Sequence, residues 1–171
     1  MEIRKFIATT ISEYLNEQSN ILLAPNGNKS NLPKELYEYV RSDEFKDWFG
    51  DWENTPNNSS KVVDENGEPM IIYHGTDKKF SDFRSGYHKD RYFFTNDKEF
   101  SKSYGTINME VFLNIRNPFK TNSNVKFTNM FDKGDVDNNY DGVFYDSATE
   151  KGEPVNAIIC FSPIQIKIIN S

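Results

Sequence analysis

The sequence predicts an α+β domain in which short strands follow a group of helices. After residue 60, short apolar runs alternate with turn-forming residues, which is typical of a sheet built from many short strands. Before residue 50, the apolar residues recur at helical spacing instead. With 171 residues, the chain is long enough for one domain with its own core and an N-terminal appendage.

Three helices are predicted at the N-terminal end. An apolar stripe at helical spacing indicates the first helix, and a proline suited to a first helical turn begins the second. A Ser-Asp pair can cap the third, and a glycine stops it. The predicted helices cover 2–17, 33–41 and a short stretch from Ser42 or Asp43 to Gly50, with a turn-rich linker over 24–33.

Seven strands and one further helix are predicted in the rest of the chain. Asn66-Gly67 is a hairpin turn signal. Asn96 with Glu99 resembles a capping box and begins a helix that runs to about Tyr104. The predicted strands cover 61–63, 69–73, 92–94, 108–115, 141–145, 155–161 and 165–169. A loop is predicted over 149–154, and residues 119–139 are polar with few periodic cues.

Composition excludes several classes of protein. The single Cys160 rules out an internal disulfide framework and indicates a protein that is either intracellular or indifferent to the redox state of its surroundings. A net charge of −6 argues against a broad electrostatic grip on nucleic acid. No apolar stretch is long enough to span a membrane, and the N-terminus lacks the features of a signal peptide. His74 and His88 are the only histidines, and no metal-ligand spacing occurs, so no metal is expected.

Two segments carry the strongest functional signal. His74 ends an apolar run beside Gly75, where a ligand can approach the backbone closely. About twenty residues later, the aromatic run 92–94 precedes Ser101 and Tyr104, which share a helix face. A hydroxyl, a glycine backbone and aromatic rings suit a planar aromatic amide such as nicotinamide. The alternative interpretation is that these aromatic residues are ordinary core.

Several ordered motifs extend this signal along the chain. They are Phe-Lys-Asp-Trp-Phe-Gly-Asp-Trp at 45–52, Val-Val-Asp-Glu-Asn-Gly-Glu-Pro at 62–69, Tyr-His-Gly-Thr at 73–76, Phe-Phe-Thr at 93–95, and segments at 111–118 and 161–167. Together they resemble the ADP-ribosyltransferase superfamily, on the diphtheria-toxin/poly(ADP-ribose) polymerase side. The resemblance is closest to the transferase domains in polyvalent proteins of phages and mobile elements, and it covers about residues 45–168.

The resemblance implies a fold and an activity. The fold would be a split β-sandwich over 53–171, with 1–52 as an N-terminal helical extension. The activity would be NAD-dependent mono-ADP-ribosylation of a macromolecule with release of nicotinamide, and NAD would be the donor. The acidic composition favours a protein acceptor over nucleic acid. A phage or mobile-element origin would place the activity in the cytoplasm of a bacterial host, in a toxin-like role.

The resemblance also implies roles for single residues. His74 would bond the adenosine-side ribose, while the Gly75 backbone and the Ser101 hydroxyl would hold the nicotinamide carboxamide. Tyr104 would stack on the nicotinamide ring. Thr76 fits the small hydroxyl residue after the glycine. Phe93 is at a position where the family often has an aromatic residue. Three basic residues precede or begin the aromatic strand, and they would either contact the NAD phosphates or be ordinary solvated charges of a loop: Arg84, Lys89 and Arg91.

One departure concerns the acid of the family's third motif. Alignment places the usual catalytic Glu at Ala157, which cannot hydrogen-bond a ribose. Three explanations stay open: a slip by one residue to Asn156, an acid from the loop at Glu150 or Glu153, or slow transfer helped by a carboxylate of the target. The missing acid favours mono-ADP-ribosylation over polymer synthesis. It also supports an alternative function, a catalytically weak module that binds NAD or another nucleotide.

Overall fold

The structure is a computed structural model that describes residues 3, 7, 21–84, 91–123, 139–150 and 153–169. The helix predicted over 2–17 lies outside the described residues, apart from Ile3 and Ile7, which are helical and exposed. His88 and Lys89 also lie outside them.

Three short helices and seven strands form the described part of the chain. The helices are α1 (Lys34–Tyr39), α2 (Asp43–Phe49) and α3 (Lys98–Ser101). The strands are β1 (Ile72–Thr76), β2 (Tyr92–Thr95), β3 (Ile107–Leu113), β4 (Pro118–Thr121), β5 (Gly142–Glu150), β6 (Glu153–Cys160) and β7 (Ile166–Ile168). They form one sheet in the order β4-β5-β6-β2-β1-β3-β7, in which β4 and β5 are parallel and the other pairs are antiparallel. The predicted α+β class is confirmed.

Several predicted element boundaries were wrong. The loop predicted over 149–154 is instead the end of a hairpin, because β5 and β6 stay paired as far as Glu150 and Glu153. Residues 119–121, for which no element was predicted, belong to β4, whose parallel partner β5 lies far along the chain. The strand predicted over 61–63 is a single bridge between Val63 and Pro69, closed by the predicted Asn-Gly turn.

Both faces of the sheet are covered by apolar side chains. One face buries a cluster that includes Ile72, Phe94 and Ile158. On the other side, α2 packs Phe45 against Phe112 of β3, with ring centroids 5.1 Å apart in an edge-to-face arrangement. Such aromatic pairs add to the free energy gained from burial.

A buried polar network joins residues before β1 to one another. Glu68 is fully buried, and its carboxylate accepts hydrogen bonds from Arg41 Nη2 at 2.7 Å and from Ser30 Oγ at 2.5 Å. Because a buried carboxylate is costly unless it is paired, these partners offset the cost of burying Glu68. Residues 24–33, predicted as a linker, therefore include an anchored turn, bridged between Leu23 and Lys29. The domain boundary at residue 52 stays a prediction.

The sheet is weakest between two of its central strands. Strand β1 pairs with β3 at five positions from Ile72 to Thr76, but with β2 only at Tyr73, which faces Thr95. Beyond that pair, no other residues of β1 and β2 are paired. We call this gap, bounded by residues 74–76 of β1 and by Phe93 of β2, the split.

Candidate functional site

The backbone of Gly75 faces the split. Phe93 accepts a hydrogen bond from the His74 side chain, so the Phe93 carbonyl points towards β1. Alternate residues of a strand direct their backbone N–H and C=O groups to the same edge. The backbone groups of Thr95 therefore also point to β1, and those of its partner Tyr73 point to β2. Gly75, two residues after Tyr73, shares that edge. Since no β2 residue pairs with Gly75, its N–H and C=O groups open into the split.

His74 lies at one side of the split as a neutral imidazole. Its Nδ1 lies 2.9 Å from the Phe93 carbonyl oxygen, which can only accept, so Nδ1 carries the hydrogen. Burial lowers the pKa of His74 below its ordinary value of 6.5, against a smaller opposing effect of the Phe93 bond. The other ring nitrogen, Nε2, is therefore an acceptor, and no bond to it is formed within the described residues.

Two glycines bring β1 into contact with the segment that follows α3. A Cβ added to Gly75 would lie 1.8 Å from the Ser101 carbonyl oxygen and 3.1 Å from Tyr104 Cβ. A Cβ added to Gly105 would lie 2.2 Å from the Thr76 carbonyl carbon. Any larger residue at either position would displace this segment, which forms a 3₁₀ turn over Lys102–Tyr104.

Aromatic rings lie beside the exposed edge of Gly75. Tyr104 is 56% exposed and contacts Phe100 edge-to-face at 5.4 Å. Phe93 is 39% exposed, unlike its buried neighbours Tyr92 and Phe94. By strand alternation, Phe93 and the α3 segment lie on one face of the sheet, while the His74 ring lies on the other. A flat ligand in the split would therefore meet rings from both faces.

Ser101 is held inside this arrangement by a residue that the sequence analysis did not identify. Its hydroxyl lies 2.8 Å from the Lys98 carbonyl oxygen and also bonds Asn108 Oδ1, while Asn108 Nδ2 donates to the same carbonyl at 2.9 Å. Both neighbours of the hydroxyl are acceptors, so its one hydrogen stays within the protein. Ser101 is 1% exposed. Any bond to a ligand would use a lone pair of its oxygen.

The start of α3 is fixed by a cap and an ion pair. Asp97, rather than the predicted Asn96, is the N-cap, and its Oδ1 accepts from the amides of Glu99 at 2.9 Å and Phe100 at 3.0 Å. Lys98 Nζ lies 2.8 Å from Glu110 Oε1 on β3, and this bond raises the pKa of the half-exposed Lys98. The helix that carries Ser101 is therefore tied to the strand opposite Gly75.

The candidate catalytic groups of the third motif lie apart from this cluster. Ala157 sits between Thr95 of β2 and Tyr145 of β5 and shares their face, which is also the face of Phe93. Asn156 is exposed, and strand alternation directs it to the opposite face. Glu153, at the far end of the hairpin, is four residues from Ala157, about 13 Å along an extended strand.

Two other predicted residues make local contacts. The guanidinium of Arg91 lies 4.3 Å from the centroid of the Phe161 ring. The Thr76 hydroxyl closes a local turn with Lys78, donating to its carbonyl at 3.2 Å and accepting from its amide at 3.3 Å. Within the described ranges, no group of three His, Cys, Asp or Glu side chains could hold a metal ion, and no helix there is long and apolar enough to cross a membrane.

Comparison with known families decides what this site belongs to. A family model described as "ADP-Ribosyltransferase in polyvalent proteins" matches residues 64–171. The chain belongs to this ADP-ribosyltransferase family. The match includes the split, α3 and the strand that carries Ala157. The α+β fold with a mixed seven-stranded sheet agrees with the predicted ADP-ribosyltransferase-like fold.

Other comparisons add little to this assignment. No curated protein matches the chain. One solved structure, described as "Crystal structure of an anti-CRISPR protein", is similar over 58% of this chain and 95% of its own, at 14% identity and a TM-score of 0.37. A likeness at that level says nothing about activity. The ADP-ribosyltransferase family generally uses NAD as its substrate.

Proposed function

We propose that this ADP-ribosyltransferase uses NAD to mono-ADP-ribosylate a macromolecular acceptor. One observation carries the proposal: the Gly75 N–H and C=O groups open into the split, next to the exposed ring of Tyr104. A carboxamide has one acceptor and one donor group at its end, so it matches one backbone N–H and one C=O on the same edge. Nicotinamide combines this carboxamide end with an aromatic ring.

The other residues of the split fit the rest of NAD. His74 Nε2, as an acceptor, suits a ribose hydroxyl, and Tyr104 and Phe93 supply ring faces for the pyridine ring. Ser101 supports the carboxamide side from within the α3 segment, and Thr76 shapes the turn that follows. Arg91, at the beginning of β2, is the residue proposed to meet the phosphates.

The reaction breaks the bond between the nicotinamide nitrogen and ribose C1′. Nicotinamide leaves with the electron pair of that bond, the acceptor nucleophile forms a new bond to C1′, and the nucleophile loses its proton to solvent or to a base. Removing a group that stabilises the developing charge commonly costs a few kcal/mol. Since Ala157 provides no such group, we propose slow transfer, with Asn156 and Glu153 as the chain's own candidates for partial replacement.

The alanine at position 157, where the family usually has its catalytic Glu, also favours a second function. With alanine at the acid position, the site could bind NAD and serve as an interaction module without efficient transfer. The transferase is proposed first because the chain belongs to an ADP-ribosyltransferase family. A protein of a bacterial host is the proposed acceptor, in keeping with the family's occurrence in polyvalent proteins and with a net charge of −6.

Labelled NAD separates the two functions. The protein is incubated with NAD labelled in the adenylate part and with a bacterial lysate, and both free nicotinamide and labelled macromolecules are measured. His74→Ala and Tyr104→Ala test the site, and Tyr140→Ala, which removes an exposed ring elsewhere, is the matched control. Treatment with protease or nuclease then identifies the class of acceptor.

The transferase predicts label that the two site variants lose and the control retains. If calorimetry detects NAD binding but neither labelled macromolecules nor free nicotinamide rise above background, the transferase is excluded and the binding module remains. Absence of NAD binding would overturn both functions.

A further inference from the structure

Two phenylalanines from the loop after β1 pack on His74. The ring centroid of Phe83 lies 5.2 Å from that of His74, and that of Phe80 lies 6.1 Å away, both edge-to-face. The two phenylalanine rings contact each other at 4.8 Å, and Phe83 also contacts Phe94 at 5.5 Å. We call Phe80 and Phe83 the aromatic clamp. It belongs to none of the motifs on which the sequence analysis relied.

The clamp determines the surroundings of the imidazole. Phe80, Phe83 and Phe94 provide rings, and Met109, opposite His74 on β3, is buried. No charged side chain contributes to the pKa of His74: burial lowers this pKa, and the bond to the Phe93 carbonyl raises it by a smaller amount.

The charged neighbours of the clamp are turned to solvent. Asp82 and Arg84, on either side of Phe83, form an exposed ion pair at 3.1 Å. In the described part of the chain, the Phe93 carbonyl therefore favours the charged imidazolium, no charged side chain adds to that effect, and burial outweighs it.

We infer that Phe80 and Phe83 are positioning residues that hold His74 as the Nδ1–H tautomer, which leaves Nε2 as a hydrogen-bond acceptor for a ligand. The inference rests on the proposed function where it names the ligand group, a ribose hydroxyl, that would donate to Nε2. The tautomer itself is independent of any ligand. A histidine in water prefers the other tautomer, so the packing of the rings and the Phe93 carbonyl together decide which nitrogen faces the ligand.

The consequence is that Nε2 is selective for hydrogen-bond donors of the ligand. A neutral acceptor at Nε2 can bind a hydroxyl but repels a second acceptor, such as a phosphate oxygen. When the imidazole is protonated, Nε2 becomes a donor and the selectivity is lost. The clamp extends the neutral state to lower pH, because covering the ring disfavours the charged form.

Nitrogen-15 NMR of the full chain tests the clamp without NAD. Long-range proton–nitrogen spectra report the tautomer and pKa of each histidine, and His74→Gln identifies the His74 signals. Phe83→Ala and Phe80→Ala open the clamp, while Phe83→Leu keeps an apolar side chain of similar volume. Phe119→Ala is the matched control, since that ring lies on β4 and contacts Tyr140 instead.

The expected result is an Nδ1–H tautomer and a pKa below 6.5 in the unsubstituted chain. Phe83→Ala should move the pKa towards 6.5 and shift the nitrogen signals towards the Nε2–H tautomer, and Phe83→Leu should restore most of both. If Phe83→Ala does not fold, Phe80→Ala decides in the same way. Signals that match the unsubstituted chain in every folded clamp variant would overturn the inference.

Binding of NAD is measured on the same variants at pH 8 and pH 6. The affinity of Phe83→Ala should fall about 2- to 10-fold at pH 6 relative to pH 8, the range of one hydrogen bond, and that of Phe119→Ala should not. If the unsubstituted chain binds no NAD while the NMR result holds, the proposed function fails and the clamp stands.

Discussion

At the scale of single residues, Gly75 combines two functions in one position. Its missing Cβ allows the Ser101 carbonyl to approach, and its backbone edge is left open where β1 and β2 separate. The first property brings Tyr104 to the split, and the second supplies groups that a carboxamide can bond. A side chain here would therefore affect both the packing and the proposed ligand site.

Gly75→Ala should weaken NAD binding more than tenfold. The added methyl group would lie 1.8 Å from the Ser101 carbonyl oxygen, so the segment with Tyr104 has to move, and overpacking of this kind typically costs about 1–3 kcal/mol of stability. Calorimetry and chemical denaturation measure the two effects. Gly67→Ala is the control: its φ of +82° costs stability in open space, but it should leave NAD binding unchanged. Equal affinities for both variants would contradict the role of Gly75.

Ala157→Glu should raise the rate of NAD cleavage. The position shares the face of Phe93 and lies beside Thr95, so a carboxylate here would point to the face where the family's acid is expected. Stabilisation of developing charge by one such group is worth up to about 10²–10³ in rate. The rate is followed as free nicotinamide, with Ala157→Gln as the uncharged control. If Ala157→Glu is no faster than the unsubstituted chain, the alignment of position 157 is wrong.

At the scale of elements, α3 and the 3₁₀ turn after it depend on β3 for their position. Asn108 and Glu110 of β3 hold the segment through Ser101 and Lys98, and Asn108 stands opposite Gly75 in the sheet. The aromatic side chains of this segment, which are proposed to contact the ligand, are therefore positioned by hydrogen bonds to the neighbouring strand as well as by the short helix.

A double-mutant cycle measures this support. Ser101→Ala and Asn108→Ala should each reduce stability, and the double variant should lose less than the sum, with a coupling of about 0.5–3 kcal/mol by chemical denaturation. If Ser101 acts only by holding the segment, Ser101→Ala should not weaken NAD binding further when Asn108 is already alanine. An undiminished further loss of affinity would show that Ser101 touches the ligand directly. Ser103→Ala, which removes an exposed hydroxyl, is the control.

At the scale of the whole molecule, the residues before β1 are part of the folded unit that carries the site. Phe45 and Phe49 are fully buried and pack in the cluster of Phe112, and the Arg41–Glu68 ion pair joins α1 to the turn before β1. Removing one partner of a buried ion pair leaves an uncompensated charge, which is far more costly than removing both.

A chain shortened to residues 53–171 should therefore not fold cooperatively. Thermal denaturation followed by circular dichroism measures this. In the full chain, Arg41→Met should cost about 3–5 kcal/mol, because Glu68 stays buried without its partner. Arg41→Met combined with Glu68→Leu should recover part of the loss. Cooperative melting of 53–171 at the temperature of the full chain would support a separate domain beginning there.

The sequence by itself determined the fold class, the family and the main residues of the split. His74, Gly75 and Tyr104 could be found because they lie in short motifs, and the strands of the core have clear apolar patterns. These signals are local, since each depends on neighbours a few residues away.

Only the tertiary structure decided which groups meet. Asn108 and the aromatic clamp carry no motif, because their partners lie on other elements and are brought close by strand pairing and ring packing. The hairpin ends of β5 and β6 and the short β4 were missed for the same reason, as their hydrogen-bond partners are distant in sequence. The open edge of Gly75 is the clearest case: it exists because β1 and β2 separate after one pair, and the register between two strands is a property of the sheet.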